Sequence, residues 1–153
     1  MSNAGILVKE DIVAALNAKH LIIDPFRESH LQPTSYDISV NQILRTGDVF
    51  EDFDEVRIEH LQFINLMSEE KFAFPLDMVG HISFRTTYRK IGLVTDLGRI
   101  EAGWKGRLVL EVFNASPSAV VIKKGERIAT VEFERLARPS SSPYEGKLQG
   151  FGV

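Results

Sequence analysis

The sequence has no cysteine, which excludes disulfides and every zinc site built on thiolates. Its histidines, at positions 20, 30, 60 and 81, show neither an HExxH pattern nor any paired ligand spacing, so no zinc site is expected. No apolar run approaches the roughly 18 residues of a membrane span. The N-terminus also lacks a basic segment followed by a long apolar one, which predicts a cytoplasmic protein with no membrane partner. Walker, GxGxxG and GxSxG patterns are all missing, so the chemistries that depend on them have no support. An excess of positive charge is missing too: 18 Lys and Arg against 21 Asp and Glu leave −3. That predicts no nucleic-acid partner, because an extended phosphate backbone demands a broad cationic face, while a small anion stays within reach.

What is present is the composition of an ordinary soluble domain, 153 residues with 44% hydrophobic and 25% charged side chains. Such a chain can bury a real core without covalent staples. One segment reads as helix, Lys9 to Lys19, where Ile12, Val13 and Leu16 share a face, Glu10 and Asp11 open it and Lys19 closes it. Alternation predicts strands at Tyr36-Ile38-Val40, Met78 to Phe84, Arg107 to Phe113, Ala119 to Ile122 and Arg127 to Glu134. Short strands after one helix suggest a barrel or jelly roll. A Pro- and Ser-rich linker at Pro139 to Pro143 divides a single β domain, 1–138, from a mobile C-terminal arm, 139–153.

Three clusters carry candidate chemistry. In Arg107-Leu108-Val109-Leu110-Glu111-Val112-Phe113, period-2 geometry surrounds Glu111 with apolar residues on both faces. Desolvation raises the proton affinity of a carboxylate so placed, which suits a general acid/base; an edge strand with Glu111 leaning into water has the same pattern. Next, Arg85-Thr86-Thr87-Tyr88-Arg89-Lys90 brings three cations and two hydroxyls to one strand end, the groups phosphate oxygens need, although a solvated basic turn reads alike. Last, Arg99-Ile100-Glu101-Ala102-Gly103-Trp104 holds the only tryptophan and an acid in a glycine turn, fit to grip a sugar or base or simply to cap the core.

In order, these segments resemble the dCTP deaminase family of dUTPase-like trimeric β proteins. Leu31-Gln32-Pro33-Thr34-Ser35-Tyr36-Asp37-Ile38 is similar to that family's Leu-Gln-Pro-Ala-Ser-x-Asp-Leu signature. Arg85 to Leu93 resembles its Arg-Ser-Ser-Leu-x-Arg-x-Gly-Leu phosphate motif, with Thr for both Ser and Lys for the second Arg. Ile100-Glu101-Ala102-Gly103-Trp104 is similar to Ile-Asp-Pro-Gly-Phe/Trp, and Leu110-Glu111 to the catalytic Leu-Glu. The resemblance implies a mainly β, distorted jelly roll or β-clip with one N-terminal helix, assembled as a homotrimer with sites between subunits. It implies metal-independent hydrolysis of dCTP to dUTP and ammonia, with Glu111 catalytic and Mg²⁺ carried by the triphosphate. Arg85, Thr86, Thr87 and Lys90 would hold the phosphates, Glu101 and Trp104 the nucleoside, and Tyr144 and Lys147 the triphosphate from the tail. Arg89, Arg99, Val109, Leu110 and Gln149 complete the implied substrate-binding set, and dUTP and dTTP are further candidate ligands.

Two alternatives stand beside it. Gly150-Phe151-Gly152 resembles the arm with which dUTPases cover uracil, which points to a dUTP pyrophosphatase or a bifunctional enzyme giving dUMP. The stretch Val94 to Gly98 is about two residues shorter than the family's His-x-Thr-Ala segment, which suggests a non-catalytic deoxynucleotide-binding module.

Overall fold

The computed structural model describes residues 4–153. Helix α1 forms over Lys9–Asn17, burying Ile12 and Ala15. The Asp11 carboxylate accepts the Val8 N–H at 3.2 Å, supplying from inside the first turn the cap that Val8 has no oxygen to provide. Lys19, at φ 55, turns the chain out of the helix.

The body is one curled antiparallel sheet. Its path runs β8 (Leu93–Val94), β10 (Lys105–Asn114), β6 (Phe63–Ala73), β3 (Tyr36–Arg45), β12 (Arg127–Arg135), β7 (Met78–Phe84) and β9 (Arg99–Ile100). Short strands β1 (Gly5–Ile6), β2 (Ile22–Asp24) and β4 (Val49–Asp52) attach to β12, β6 and β3, and β5 (Glu55–Ile58) pairs with β11 (Val120–Lys123) as a separate ribbon. The mainly β expectation holds. The even residues of β10, Leu108, Leu110 and Val112, enter the core, where Ile38, Leu66, Val131 and Phe133 meet them. The one-helix expectation needs correction: the basic cluster after β7 coils into a second, one-turn helix, α2 (Thr86–Lys90). Tyr88 draws it inward, packing against the core while its hydroxyl donates to Glu126 at 2.5 Å.

Strand β6 lies inside the sheet, between β10 and β3, although Ser68, Glu69 and Glu70 interrupt its apolar pattern. The interruption is a break in the ladders: register shifts fall between Arg107 and Val109 where β10 meets β6, and between Val40 and Gln42 where β3 meets β6. Glu70, 0% exposed, fills the break. Its carboxylate accepts the Ser39 N–H at 2.9 Å and the Ser39 hydroxyl at 2.7 Å. The Ser68 hydroxyl donates to the Glu70 carbonyl and accepts the Leu108 N–H, and the Arg107 guanidinium donates to the Ser68 carbonyl at 2.7 Å. Side chains thus replace the missing ladder bonds, as a buried backbone requires.

Burial pushes the Glu70 carboxyl up to about 7, against the opposing pull of the Ser39 bonds. A carboxyl whose pKa is raised on folding stabilises fully below its unfolded value of 4.5, and that contribution is lost as pH rises through about 7. Glu70→Gln should therefore remove about 1–3 kcal/mol of pH-dependent stability across this window. Urea midpoints at about pH 5 and about pH 8 should differ less in the variant than in the parent.

Candidate active site

Arg85 is the first residue past β7. Its N–H still donates to the Ile128 carbonyl at 2.9 Å, and its side chain turns to Asp37, which is 2% exposed. One oxygen of that carboxylate lies 3.5 Å from Arg85 Nε and 3.4 Å from Arg127 Nη1, and accepts Gln32 Nε2 at 3.1 Å. A single buried carboxylate shared by two guanidinium groups orients both and leaves net positive charge facing outward. The cavity above it, about 360 Å³, is lined by Asp37, Arg85, Thr86, Thr87 and Arg89 among others. Arg89 donates to the Thr86 hydroxyl at 2.9 Å, while Lys90 is exposed on the same turn. Gln32, Asp37 and Arg127 received no role from the sequence; the signature containing Gln32 and Asp37 was visible, but their meeting with Arg127 depends on β3 lying beside β12.

A second cavity, about 170 Å³, gathers Arg99, Glu101, Trp104, Val109, Glu111 and Tyr144. Gly103, at φ 79, makes the turn that brings Trp104 in from β9 to β10, where it is 6% exposed. Arg99 and Glu101 pair at 2.6 Å across this turn. Val94 to Gly98 is seated on β10: Leu93 and Val94 pair with Asn114 and Phe113, and the Thr95 hydroxyl donates to the Glu111 carbonyl. A third hollow, bordered by Ile82, Ser83, Arg89 and Leu97, adjoins both cavities.

Leu110, 0% exposed, points into the core. Glu111 is exposed in the single chain, not dry, because its apolar neighbours flank it without covering it: Val109 and Phe113 are half-buried, and Phe63 and Val94 are 56% and 47% exposed.

The arm lies along the start of β10 of its own chain. Tyr144 N–H donates to the Ala102 carbonyl, Gly150 N–H to Lys105 and Arg107 N–H to Phe151, at 2.8–2.9 Å. The Gln149 amide is fully engaged with main chain, accepting from Lys105 N–H at 2.7 Å and donating to the Gly103 and Tyr144 carbonyls. A Cβ at Gly106 would stand 2.7 Å from the Phe151 carbonyl oxygen, so only glycine admits the arm there. Phe151 rests on Phe50 with ring centroids 5.8 Å apart, and Lys147 is exposed.

A curled antiparallel sheet that presents a cationic turn beside an acid- and tryptophan-lined pocket is the dUTPase-like fold. The structure aligns with dCTP deaminase from Agrobacterium tumefaciens at a TM-score of 0.69 and 21% identity, over 88% of this chain and 49% of that one. It aligns with native EIAV dUTPase at 0.60 and 15% identity, over 83% and 98%. Within that fold the chain belongs to the dCTP deaminase-like family, whose model matches residues 6–136. It is 33% identical over 135 residues to the dCTP deaminase of Thermococcus kodakarensis, covering 86% of this chain and 87% of that protein. It is also 30% identical over 147 residues to a probable deoxyuridine 5'-triphosphate nucleotidohydrolase of Sulfolobus islandicus rod-shaped virus 1, covering 94% and 92%.

Arg85→Ala should weaken calorimetric binding of inorganic triphosphate by roughly 10- to 100-fold, the loss expected when a charge-assisted, two-pronged contact disappears. Arg85→Lys should recover only part of it, since a point charge lacks the fork.

Proposed function

We propose that this protein hydrolyses dCTP to dUTP and ammonia, with Glu111 rather than zinc activating the water. The observation that carries the reading is the cavity that sets Glu111 beside Glu101, Trp104 and Tyr144 in a chain of the dCTP deaminase-like family. Arg85, Thr86, Thr87 and Arg89 would hold the triphosphate, which brings Mg²⁺ with it as part of the substrate. Among the described residues no group of three or more His, Asp or Glu is placed to hold a metal ion.

Glu111 takes a proton from water, and the hydroxide forms a bond to C4 of the cytosine. The proton passes to N3, giving a tetrahedral intermediate. A second proton transfer through the carboxyl group protonates the exocyclic amine, the C4–N bond breaks, ammonia leaves and the C4 oxygen remains as the uracil carbonyl. Such transfers contribute about 10²–10⁴ in rate, and the rest comes from positioning and fixed dipoles.

The open face around Glu111 fits a homotrimer in which a neighbour covers the carboxylate and its cationic turn completes the site. The proposal is thus of a trimer that works in the cytoplasm, in nucleotide metabolism. Among the described residues no helix is long and apolar enough to cross a membrane. A second reading, dUTP pyrophosphatase or a bifunctional enzyme releasing dUMP, is favoured by Gly150-Phe151-Gly152 and by the viral relative.

Purified protein with dCTP and Mg²⁺ should release ammonia and dUTP, and Glu111→Gln should lower kcat by about 10²-fold or more. Absence of ammonia, or full activity in the variant, refutes the deaminase; pyrophosphate released with dUMP assigns the second reading, bifunctional if ammonia accompanies it.

A further inference from the structure

Asn65 breaks a rule that the rest of the sheet obeys. Its side-chain oxygen is the one buried side-chain nitrogen or oxygen without a hydrogen-bond partner among the described residues. An orphaned acceptor destabilises the chain that carries it, and an aliphatic side chain at this half-buried strand position would not incur that cost. A residue kept against its own stability is characteristic of a site.

The register identifies what it serves. Asn65 on β6 is directly opposite Glu111 on β10 and, on the other side, Leu44 on β3. Directly opposed side chains share a sheet face, with Cβ atoms roughly 4.5–5.5 Å apart, within reach of a glutamate. The other near positions are apolar or engaged elsewhere. Val109 and Phe113 are apolar, and Gln42 is committed at both ends, donating to Asp52 at 2.8 Å and accepting from Arg107 at 2.7 Å. Gln62, which borders the same hollow, turns its amide oxygen to the Glu59 N–H. Of the two positions directly opposite Asn65, Leu44 is apolar, and Glu111 in its protonated form can present a donor.

We propose that Asn65 is a positioning residue for Glu111: its amide oxygen accepts the O–H of the protonated acid, and its NH₂ donates to the ionised carboxylate once the proton has moved on. An amide carries both an acceptor and donors, so one side chain can hold the carboxyl through both halves of a proton shuttle. The inference rests on the deaminase reading given above, and it identifies a pairing that neither side chain makes in the single chain.

Asn65→Leu tests it. The variant should melt roughly 2–4 °C higher, because the orphan is gone, while kcat for dCTP falls about tenfold with KM within about twofold. A second readout does not require turnover: in labelled protein with dUTP bound, the Glu111 carboxyl ¹³C resonance should move in Asn65→Leu relative to the parent. Arg99, Glu101 and Arg107, the charged groups that line one cavity with Glu111, are the same in both proteins, so the comparison isolates the amide. An unchanged kcat with an unmoved resonance overturns the proposal. So does loss of the trimer on sedimentation with an unmoved resonance, since that assigns Asn65 to a subunit contact. If the parent makes no dUTP but the resonance moves, the deaminase reading fails while the pairing stands.

Discussion

The Glu70 carboxylate on Ser39 is the interaction on which the rest of this structure depends. Strands β3, β6 and β10 cannot keep one uninterrupted ladder and also bend enough to close the sheet, so the ladder breaks at Ser68 to Glu70 and side chains complete it. Both halves of the site hang from this repair. Asp37, two residues from Ser39 on β3, anchors Arg85 and Arg127; Glu111, beyond the shift on β10, owes its row to the same register. A one-residue slip on either side would turn one of these carboxylates to the opposite face. A partly satisfied buried acid is a risky device, yet here every strand that meets the break contributes a donor or acceptor to it.

Charge is divided between the two halves in a way that matches a nucleoside triphosphate. The turn after β7 offers two guanidinium groups, Arg85 and Arg89, and two hydroxyls in a polar cavity. The hollow between β9 and β10 offers an aromatic wall and two acids, one already paired with Arg99. Polyphosphate needs the first environment and a flat, hydrogen-bonding base needs the second. The arm reinforces the second half: Tyr144 and Leu148 line it, and the bonds of Gln149 to main chain keep Tyr144 there. Gln149, expected from the resemblance to meet substrate, is in this chain a fastener for the arm.

Much of this was legible in the residues. The strand over Met78–Phe84 matches its predicted limits, the strands around Glu111 and after Arg127 differ by a residue or two, and the basic cluster does sit at a strand end. Strand β6 was not legible, because its defining feature is polar: Ser68 and Glu70 look like a solvated loop until their partners on β3 and β10 are known. The environment of Glu111 stayed open in the sequence for the converse reason. Alternation shows that apolar residues surround a position along its own strand, but whether anything covers the face depends on what packs over it.

By itself, then, the sequence determined the chemical inventory: no thiolate, a cationic turn, one tryptophan beside an acid, and a glutamate in an apolar strand. It also determined the local shapes, since capping, glycine turns and period-2 burial act over a few residues. Only the tertiary structure decided which of these groups meet. Asp37 meets Arg127, Glu70 meets Ser39 and Asn65 comes to stand opposite Glu111 through sheet register, which is set by long-range pairing and by breaks in the ladder that no local pattern encodes.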